Sequence, residues 1–204
     1  MLHSPSFLMS CAHWKQWPKD STGPIVAFWG RSNVGKSSLI NTLTQSKIAH
    51  VSKTPGRTRL LNLFEIKKPR LLLCDLPGYG YAQISKSESA EIQERLNAYF
   101  YSPCRPHLLC WIIDIRHGLT KSDLELAELM RDFASERDLL VIATKSDKLS
   151  SQQQQKAMAH LEQQLALEGL GQQGVLCLSS LSKKGFAELS DLLERFSAAY
   201  HQDQ

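Results

Sequence analysis

The sequence contains no run of about 20 consecutive apolar residues, which is the length needed to cross a bilayer. Its first 20 residues also lack the positively charged start and apolar segment that are typical of a secretory signal. The five cysteines are odd in number and form no Cys-x-x-Cys pair, which argues against a disulfide framework or a zinc site. We therefore expect a cytoplasmic protein without membrane contact.

Length and charge allow one globular domain. A chain of 204 residues can bury a substantial core but is too short for two ordinary domains, and it shows neither an internal repeat nor a linker. Its net charge of +4 permits an RNA-rich partner without requiring one. Charge alone therefore leaves contact with nucleic acid open.

Apolar runs alternate with amphipathic stretches from about residue 24 onward, which predicts an α/β fold with helices on both faces of a mostly parallel sheet. The connection at residues 67–69 is too short for a crossover helix and predicts one antiparallel strand. Residues 1–6 and 201–204 are expected to be loose. Strands are predicted at 24–29, 59–66, 71–74, 108–113, 139–143 and 175–178, and helices at 36–43, 87–101, 122–134, 152–167 and 185–200.

Residues 30–37 match the phosphate-binding motif G-x-x-x-x-G-K-[ST] between a predicted strand and a predicted helix. Its glycines let backbone N–H groups surround phosphates, and the helix N-terminus favours their negative charge. We expect Lys36 to contact the β- and γ-phosphates and the Ser37 hydroxyl to bind Mg²⁺. The candidate phosphate-binding residues are Gly30, Arg31, Ser32, Asn33, Val34, Gly35, Lys36, Ser37 and Ser38.

Residues 144–147 follow another predicted strand and match [NT]-K-x-D. The Asp147 carboxylate can accept both guanine donors, which adenine lacks, so this motif favours a GTP-binding protein over an ATP-using kinase or ATPase. We expect Lys145 to lie along the base and the phosphate loop. Thr144 replaces the commoner Asn, which predicts a weaker or differently routed contact with that loop. The candidate base-binding residues are Thr144, Lys145, Ser146, Asp147, Leu178, Ser179 and Ser180.

A third motif, Asp-Leu-Pro-Gly at residues 75–78, follows the predicted strand at 71–74. Asp75 is expected to hold Mg²⁺ through a water, and the Gly78 N–H to contact the γ-phosphate. Leu76 and Pro77 complete the segment. Taken alone, such a sequence is also a common turn.

The motifs together resemble the EngB family (also called YihA or YsxC) of bacterial P-loop GTPases, in the same branch as TrmE, Era, EngA and the septin-like proteins. The most specific segments are Ser-Lys-Thr-Pro-Gly-Arg-Thr at residues 52–58 and Asp-Leu-Pro-Gly-Tyr-Gly-Tyr at residues 75–81. The resemblance covers nearly the whole chain. It implies an N-terminal extension at 1–23 packed on a GTPase domain at 24–200, followed by a loose tail at 201–204.

The resemblance also assigns roles to residues. Thr58 would complete the Mg²⁺ shell together with Ser37 and Asp75, and Lys36, Thr58 and Gly78 would be the catalytic residues. The loop before the second predicted strand would line the nucleotide with Gly56, Arg57, Thr58, Arg59 and Leu60.

The implied function is GTP hydrolysis as a conformational switch in assembly of the large ribosomal subunit, which is also needed for normal cell division and septation. The implied partner is the large subunit or its RNA, and the implied state is a monomer. A nucleotide-bound scaffold of the division machinery with negligible hydrolysis stays open as the alternative.

Tyr79 follows Gly78 where Ras-type GTPases have a glutamine that orients water, and tyrosine does not reproduce the paired donor and acceptor of an amide. Slow intrinsic hydrolysis, activated by a partner or by K⁺, is therefore expected. Asn33 resembles the asparagine that holds K⁺ in related GTPases, although a simple bond to the loop backbone is equally open. Basic residues that suit RNA phosphates or a solvated face are Lys53, Arg57, Arg59, Lys67, Lys68 and Arg70.

Two positions depart from the family pattern. Trp29 stands directly before the phosphate loop, where a small residue is usual, so the packing of that strand must differ. Ser146 replaces an alanine, which we expect to alter the base contacts slightly.

Overall fold

The computed structural model describes residues 1–18, 23–49, 60–80, 86–136, 138–172 and 174–202. Within these ranges, no helix is long and apolar enough to cross a membrane. The strands are β1 His3–Cys11, β2 Ile25–Gly30, β3 Leu61–Lys68, β4 Leu71–Asp75, β5 Leu108–Asp114, β6 Asp138–Thr144 and β7 Val175–Cys177. The helices are α1 Lys36–Leu43, α2 Lys86–Phe100, α3 Lys121–Leu124, α4 Ala127–Glu136, α5 Ser151–Leu167 and α6 Phe186–Gln202, and short 3₁₀ helices span Trp14–Gln16 and Ser146–Lys148.

The strands form one sheet in the order β1-β3-β4-β2-β5-β6-β7. β3 pairs antiparallel with both β1 and β4, whereas the other neighbours pair in parallel. Six strands therefore run in one direction and β3 runs in the other. This confirms the predicted α/β fold with one antiparallel strand and with the short β3–β4 connection.

Side chains alternate between the two faces of the sheet. In β2, Ile25, Ala27 and Trp29 enter the core under α2, α4 and α5, whereas Val26 and Phe28 enter the core under α1 and α6. All six β2 residues are buried. Such a strand reads as continuously apolar because both of its faces are covered, which is why the alternating βα pattern predicted the fold.

The N-terminal segment contributes a strand that the sequence did not predict. β1 pairs with β3 from His3 opposite Lys68 to Cys11 opposite Leu61. Leu2 is only 1% exposed, and its N–H donates to the Leu43 carbonyl at 3.1 Å. The expectation that residues 1–6 are loose is therefore wrong.

The C-terminal helix and the helix predicted at 122–134 also differ from expectation. α6 continues to Gln202, so residues 201 and 202 are helical rather than loose, and residues 203 and 204 lie outside the described ranges. The helix predicted at 122–134 is divided into α3 and α4. It is interrupted because the Leu126 N–H donates to the Asp123 carbonyl, three residues back, at 3.0 Å instead of continuing the α-helical pattern.

We predict that Leu2→Ala lowers the free energy of unfolding by about 2–4 kcal/mol, because it removes a fully buried side chain. Leu8→Ala is the matched control, since Leu8 lies on β1 but is 38% exposed. Urea unfolding of both variants measures the difference. Equal effects of the two substitutions would contradict the docking of the N-terminal residue.

Candidate functional site

The parallel strands bring the predicted motifs to one edge of the sheet. The phosphate loop begins at the last residue of β2, the Asp-Leu-Pro-Gly segment begins at the last residue of β4, and the Thr-Lys-Ser-Asp segment begins at the last residue of β6. Leu178, Ser179 and Ser180 follow β7. Leu60 is exposed directly before β3. The predicted site residues Gly56, Arg57, Thr58 and Arg59 lie outside the described ranges.

Two glycines shape the phosphate loop. Gly35 precedes α1 with a φ of 102°, a conformation that L side chains rarely adopt, and a Cβ there would have no heavy atom within 4 Å. Gly30 is needed for a different reason, because a Cβ at this position would lie 2.5 Å from the Ile112 carbonyl oxygen on β5. The loop can therefore lie close to β5 while its Gly35 end stays open to a ligand.

Lys36 and Asp75 form an ion pair between the start of α1 and the end of β4. The Lys36 side chain is 8% exposed and Asp75 is 2% exposed, so this pair is buried. The contact places the ammonium that is expected to bind phosphate beside the carboxylate that is expected to serve the metal. Both groups can therefore act on one metal–phosphate unit.

The oxygen donors here suit Mg²⁺. Ser37, half-buried, lies next to Lys36 in the first turn of α1, and Asp75 supplies a carboxylate. In the part of the chain that the structure describes, no group of three or more His, Cys, Asp or Glu side chains could hold a metal. Mg²⁺ commonly takes only one or two protein carboxylates and fills its shell with phosphate oxygens and waters, so a hydroxyl and one carboxylate fit it.

Thr144 bonds directly to the phosphate loop. Its hydroxyl lies 2.7 Å from the Val34 carbonyl oxygen and 3.1 Å from that of Ile113, and the residue is 4% exposed. A hydroxyl has one proton, so the shorter contact is the natural hydrogen bond and the longer one is secondary. The contact with the loop is therefore made by a hydroxyl and is short and buried; that it is weaker than the contact of an asparagine stays a prediction.

Lys145 contacts both the phosphate loop and β5. Its backbone is left-handed, with a φ of 63°, and its Nζ lies 2.5 Å from the Asn33 carbonyl oxygen and 2.9 Å from Asp114 Oδ2. Lys145 therefore contacts the loop through its ammonium, and the expectation that its side chain lies along the base stays a prediction. Asp114 is an additional partner to which the sequence reasoning gave no role.

Asp114 holds Lys145 with a carboxylate that is ionised at neutral pH. Burial raises its pKa, but hydrogen bonds from Arg116 and Lys145 outweigh burial and lower the pKa to about 2. The Arg116 guanidinium approaches through Nε at 2.9 Å and Nη2 at 2.7 Å. The pKa of Asp114 is lower in the folded than in the unfolded protein, so its ionised form stabilises the folded state. This contribution to the free energy of unfolding is complete above about pH 4 and is lost as the pH falls towards 2.

Asp147 is oriented by the loop after β7. Its Oδ1 accepts a hydrogen bond from the Ser179 hydroxyl at 2.7 Å, and this bond is the largest cause of its lowered pKa. The Ser146 hydroxyl and N–H both point to the Leu178 carbonyl oxygen, at 3.1 and 3.4 Å. The substitution to Ser146 therefore adds a bond between two predicted base-recognition segments. The Ser179 hydroxyl thus donates to Asp147, and a contact of Ser179 with the base stays a prediction.

An open depression of about 760 Å³ lies between α1 and the loop after β7. Its size is within the range of small-molecule sites, which is about 300–1,000 Å³. Two predicted site residues, Ser38 and Ser180, line it from different elements. The full lining comprises Ser38, Asn41, Thr42, Lys47, Ala49, Ser180 and Leu181.

Comparison with known proteins shows which family the chain belongs to. Residues 25–145 match the family described as 50S ribosome-binding GTPase. A protein named "Probable GTP-binding protein EngB" from Clostridium perfringens strain 13 is 40% identical over 193 residues, which cover 94% of this chain and 95% of the relative. One of the same name from Acidobacterium capsulatum is 42% identical and covers 95% and 91% of the two chains. This chain belongs to the EngB family of GTP-binding proteins.

Solved structures share the fold. The crystal structure of a probable GTP-binding protein engB aligns with a TM-score of 0.66 at 22% identity, covering 82% of this chain and 95% of that one. Era in complex with MgGDPNP and nucleotides 1506–1542 of 16S ribosomal RNA aligns with a TM-score of 0.67 at 21% identity, covering 84% and 56%. The fold is thus that of P-loop GTPases.

Two features of this EngB-family site escaped the sequence reasoning. Asp114 and Arg116 received no role, although a charged Asp-x-Arg at the end of an apolar strand could have indicated an ion pair. Trp29 was expected only to change local packing. It is fully buried, and its indole N–H donates to the Pro77 carbonyl oxygen at 2.9 Å.

We predict that Asp114→Asn weakens GDP and GTP binding to a similar extent, by about tenfold or about 1.4 kcal/mol, because Lys145 loses its charged partner. Asp138→Asn, at the exposed start of β6, removes the same charge away from the site and serves as the control. Titration with fluorescent nucleotides measures both variants. Unchanged affinity in Asp114→Asn would show that Lys145 does not depend on Asp114.

Proposed function

We propose that this EngB-family protein hydrolyses GTP to GDP and phosphate as a conformational switch in assembly of the large ribosomal subunit. The observation that carries the proposal is the meeting of Lys36 with Asp75, and of Lys145 with the phosphate loop, at one sheet edge. The match of residues 25–145 to a 50S ribosome-binding GTPase family supports the ribosomal role. We propose that the protein acts in the cytoplasm and is a monomer.

Each part of the site would serve one part of Mg²⁺–GTP. The phosphate loop and Lys36 would bind the β- and γ-phosphates, Gly78 would donate its N–H to the γ-phosphate, and Asp147 would accept from guanine. Ser37, Asp75 and Thr58 would hold Mg²⁺, which neutralises charge on the phosphate oxygens when bound. Catalysis is then mainly positioning and electrostatic stabilisation by these groups.

Tyr79 supports the proposal of slow intrinsic hydrolysis. Its hydroxyl donates to Asp123 Oδ1 at 2.7 Å and accepts from the Trp111 indole N–H at 2.8 Å. Both hydrogen-bonding functions of the phenol are therefore used inside the protein. A hydroxyl held in this way does not orient an attacking water as a glutamine amide does.

RNA phosphates are the proposed contacts of the ribosomal partner. Lys67 and Lys68 are exposed at the end of β3, where lysines can neutralise a phosphate backbone. The related Lys53, Arg57 and Arg59 lie outside the described ranges. The complex of Era with nucleotides 1506–1542 of 16S ribosomal RNA shows that a protein of this fold can bind ribosomal RNA.

A second candidate function is a nucleotide-bound scaffold of the division machinery with negligible hydrolysis. The residue directly after Gly78 favours this alternative. It is Tyr79 rather than a glutamine, and its hydroxyl is already hydrogen-bonded to Asp123. Both candidates are compatible with a need for normal cell division and septation. They differ in whether the nucleotide state controls binding to the ribosome.

We predict that wild type sediments with 50S subunits in Mg²⁺ and a non-hydrolysable GTP analogue, but not in GDP. Asp147→Asn should lose this GTP-dependent binding, since it loses about 1–3 kcal/mol for guanine, and should regain it with the xanthosine analogue. Its amide can donate to the xanthine oxygen that replaces the guanine amino group. Sedimentation that is absent, or equal in all nucleotide states, would favour the scaffold.

We further propose that K⁺ held at Asn33 activates hydrolysis. Asn33 lies within the phosphate loop, is exposed and has a φ of 63°, and its carbonyl oxygen accepts from Lys145. Its side-chain amide oxygen is the proposed ligand for K⁺. A cation there would stabilise charge that develops on the β–γ bridging oxygen.

We predict that single-turnover hydrolysis is at least about tenfold faster in KCl than in NaCl, and that Asn33→Ala removes the difference. Asn97→Ala, an exposed amide on α2, is the control. Stimulation that persists in Asn33→Ala would place the ion elsewhere. An absence of any cation effect in wild type would leave the ribosomal partner as the activator.

A further inference from the structure

The peptide group between Pro77 and Gly78 is held from its carbonyl side. The Trp29 indole N–H donates to the Pro77 oxygen at 2.9 Å, and Trp29 is fully buried. This peptide is trans, so its carbonyl and its N–H point in opposite directions within one plane. By fixing the Pro77 carbonyl, Trp29 therefore fixes the direction of the Gly78 N–H.

Tyr79 holds the next residue through its backbone and its side chain. Its carbonyl accepts from the Ser32 N–H at 3.0 Å, and its N–H donates to the Gly30 carbonyl at 3.4 Å. Its phenol is bound between Asp123 and Trp111, as described above. Gly78 thus lies between two anchored neighbours, one of which is tied to the phosphate loop.

Asp123 connects this anchor to the phosphate loop a second time. It is fully buried, and its Oδ2 accepts from the Thr120 N–H at 2.8 Å and hydroxyl at 2.6 Å. Arg31 Nε lies 3.3 Å from the same oxygen in an ion-pair contact. Burial raises the pKa of Tyr79 well above its ordinary value, so the phenol stays protonated and donates at neutral pH.

The Trp29 and Tyr79 rings also support each other. Their centroids lie 5.2 Å apart in an edge-to-face arrangement, and the Phe100 ring packs against Trp29 with its centroid also 5.2 Å away. Such pairs favour a fixed relative orientation of the rings. The Trp29 N–H and the Tyr79 hydroxyl therefore reach their separate partners from a single packed pair.

We propose that Trp29 and Tyr79 are positioning residues that direct the Gly78 N–H to the γ-phosphate of GTP. Neither side chain contacts the nucleotide in this scheme, because both act through the backbone on either side of Gly78. The inference rests on the proposed function, in which Gly78 binds the γ-phosphate. GDP has no γ-phosphate, so loss of either anchor should weaken GTP binding selectively.

The test compares Trp29→Phe and Tyr79→Phe, which remove the hydrogen-bonding groups and keep an aromatic ring. Affinities for Mg²⁺ with GDP and with a non-hydrolysable GTP analogue are measured by displacement of fluorescent GDP. We expect the analogue to bind about tenfold more weakly and GDP to change by less than about twofold. Trp17→Phe and Tyr101→Phe are matched controls, since Trp17 is buried against Tyr99 and Tyr101 is 72% exposed.

An equal loss for both nucleotides, or no loss for either, would overturn the proposal, because a merely structural role does not distinguish GTP from GDP. If Trp29→Phe fails to fold, Tyr79→Phe decides the outcome, since it removes a single oxygen atom. A different result would contradict the proposed function: a wild-type protein that neither hydrolyses GTP nor binds 50S subunits. The affinity ratio of the variants still decides the positioning role in that case.

Discussion

Parallel pairing of β2 with β4 and β5, and of β5 with β6, determines where the Lys36–Asp75 and Asp114–Lys145 ion pairs lie. Parallel neighbours lie about 4.8 Å apart and end at the same edge. Asp114 therefore stands directly opposite Thr144 in the ladder, and Lys145, one residue later, can reach the Asp114 carboxylate. Strand pairing alone therefore places these charged residues within contact distance of each other. Open α/β sheets generally form their binding sites in this way, at the carboxyl ends of the strands.

The base-recognition segment also fixes the phosphate loop. Thr144 and Lys145 bind the carbonyl oxygens of Val34 and Asn33. In trans peptides the N–H groups that follow these carbonyls, those of Gly35 and Val34, must point the other way. The Val34 N–H donates to the Arg31 carbonyl at 3.3 Å, so the Gly35 N–H is the donor that these contacts would direct to a phosphate in the proposed GTP complex. Recognition of the two halves of the nucleotide would then be coupled through backbone geometry.

Local sequence patterns predicted the interior of the sheet because buried parallel strands are continuously apolar and their motifs have fixed spacing. They did not predict β1, whose exposed residues alternate poorly and whose strand character depends on pairing with β3, 50 or more residues away. The Asp114–Lys145 contact and the Trp29–Pro77 hydrogen bond were missed for the same reason. Each contact joins residues that are distant in the chain, and the identity of one residue does not indicate which residue it contacts.

The placement of β1 affects how copies of the chain can meet. It covers the side of β3 that would otherwise expose unpaired N–H and C=O groups, and it becomes the outer strand itself. Pro5 offers no N–H, and the register shift between Phe7 and Met9 interrupts the regular backbone. A second chain would find few evenly spaced partners along this border, so β1 should discourage intermolecular strand addition and aggregation.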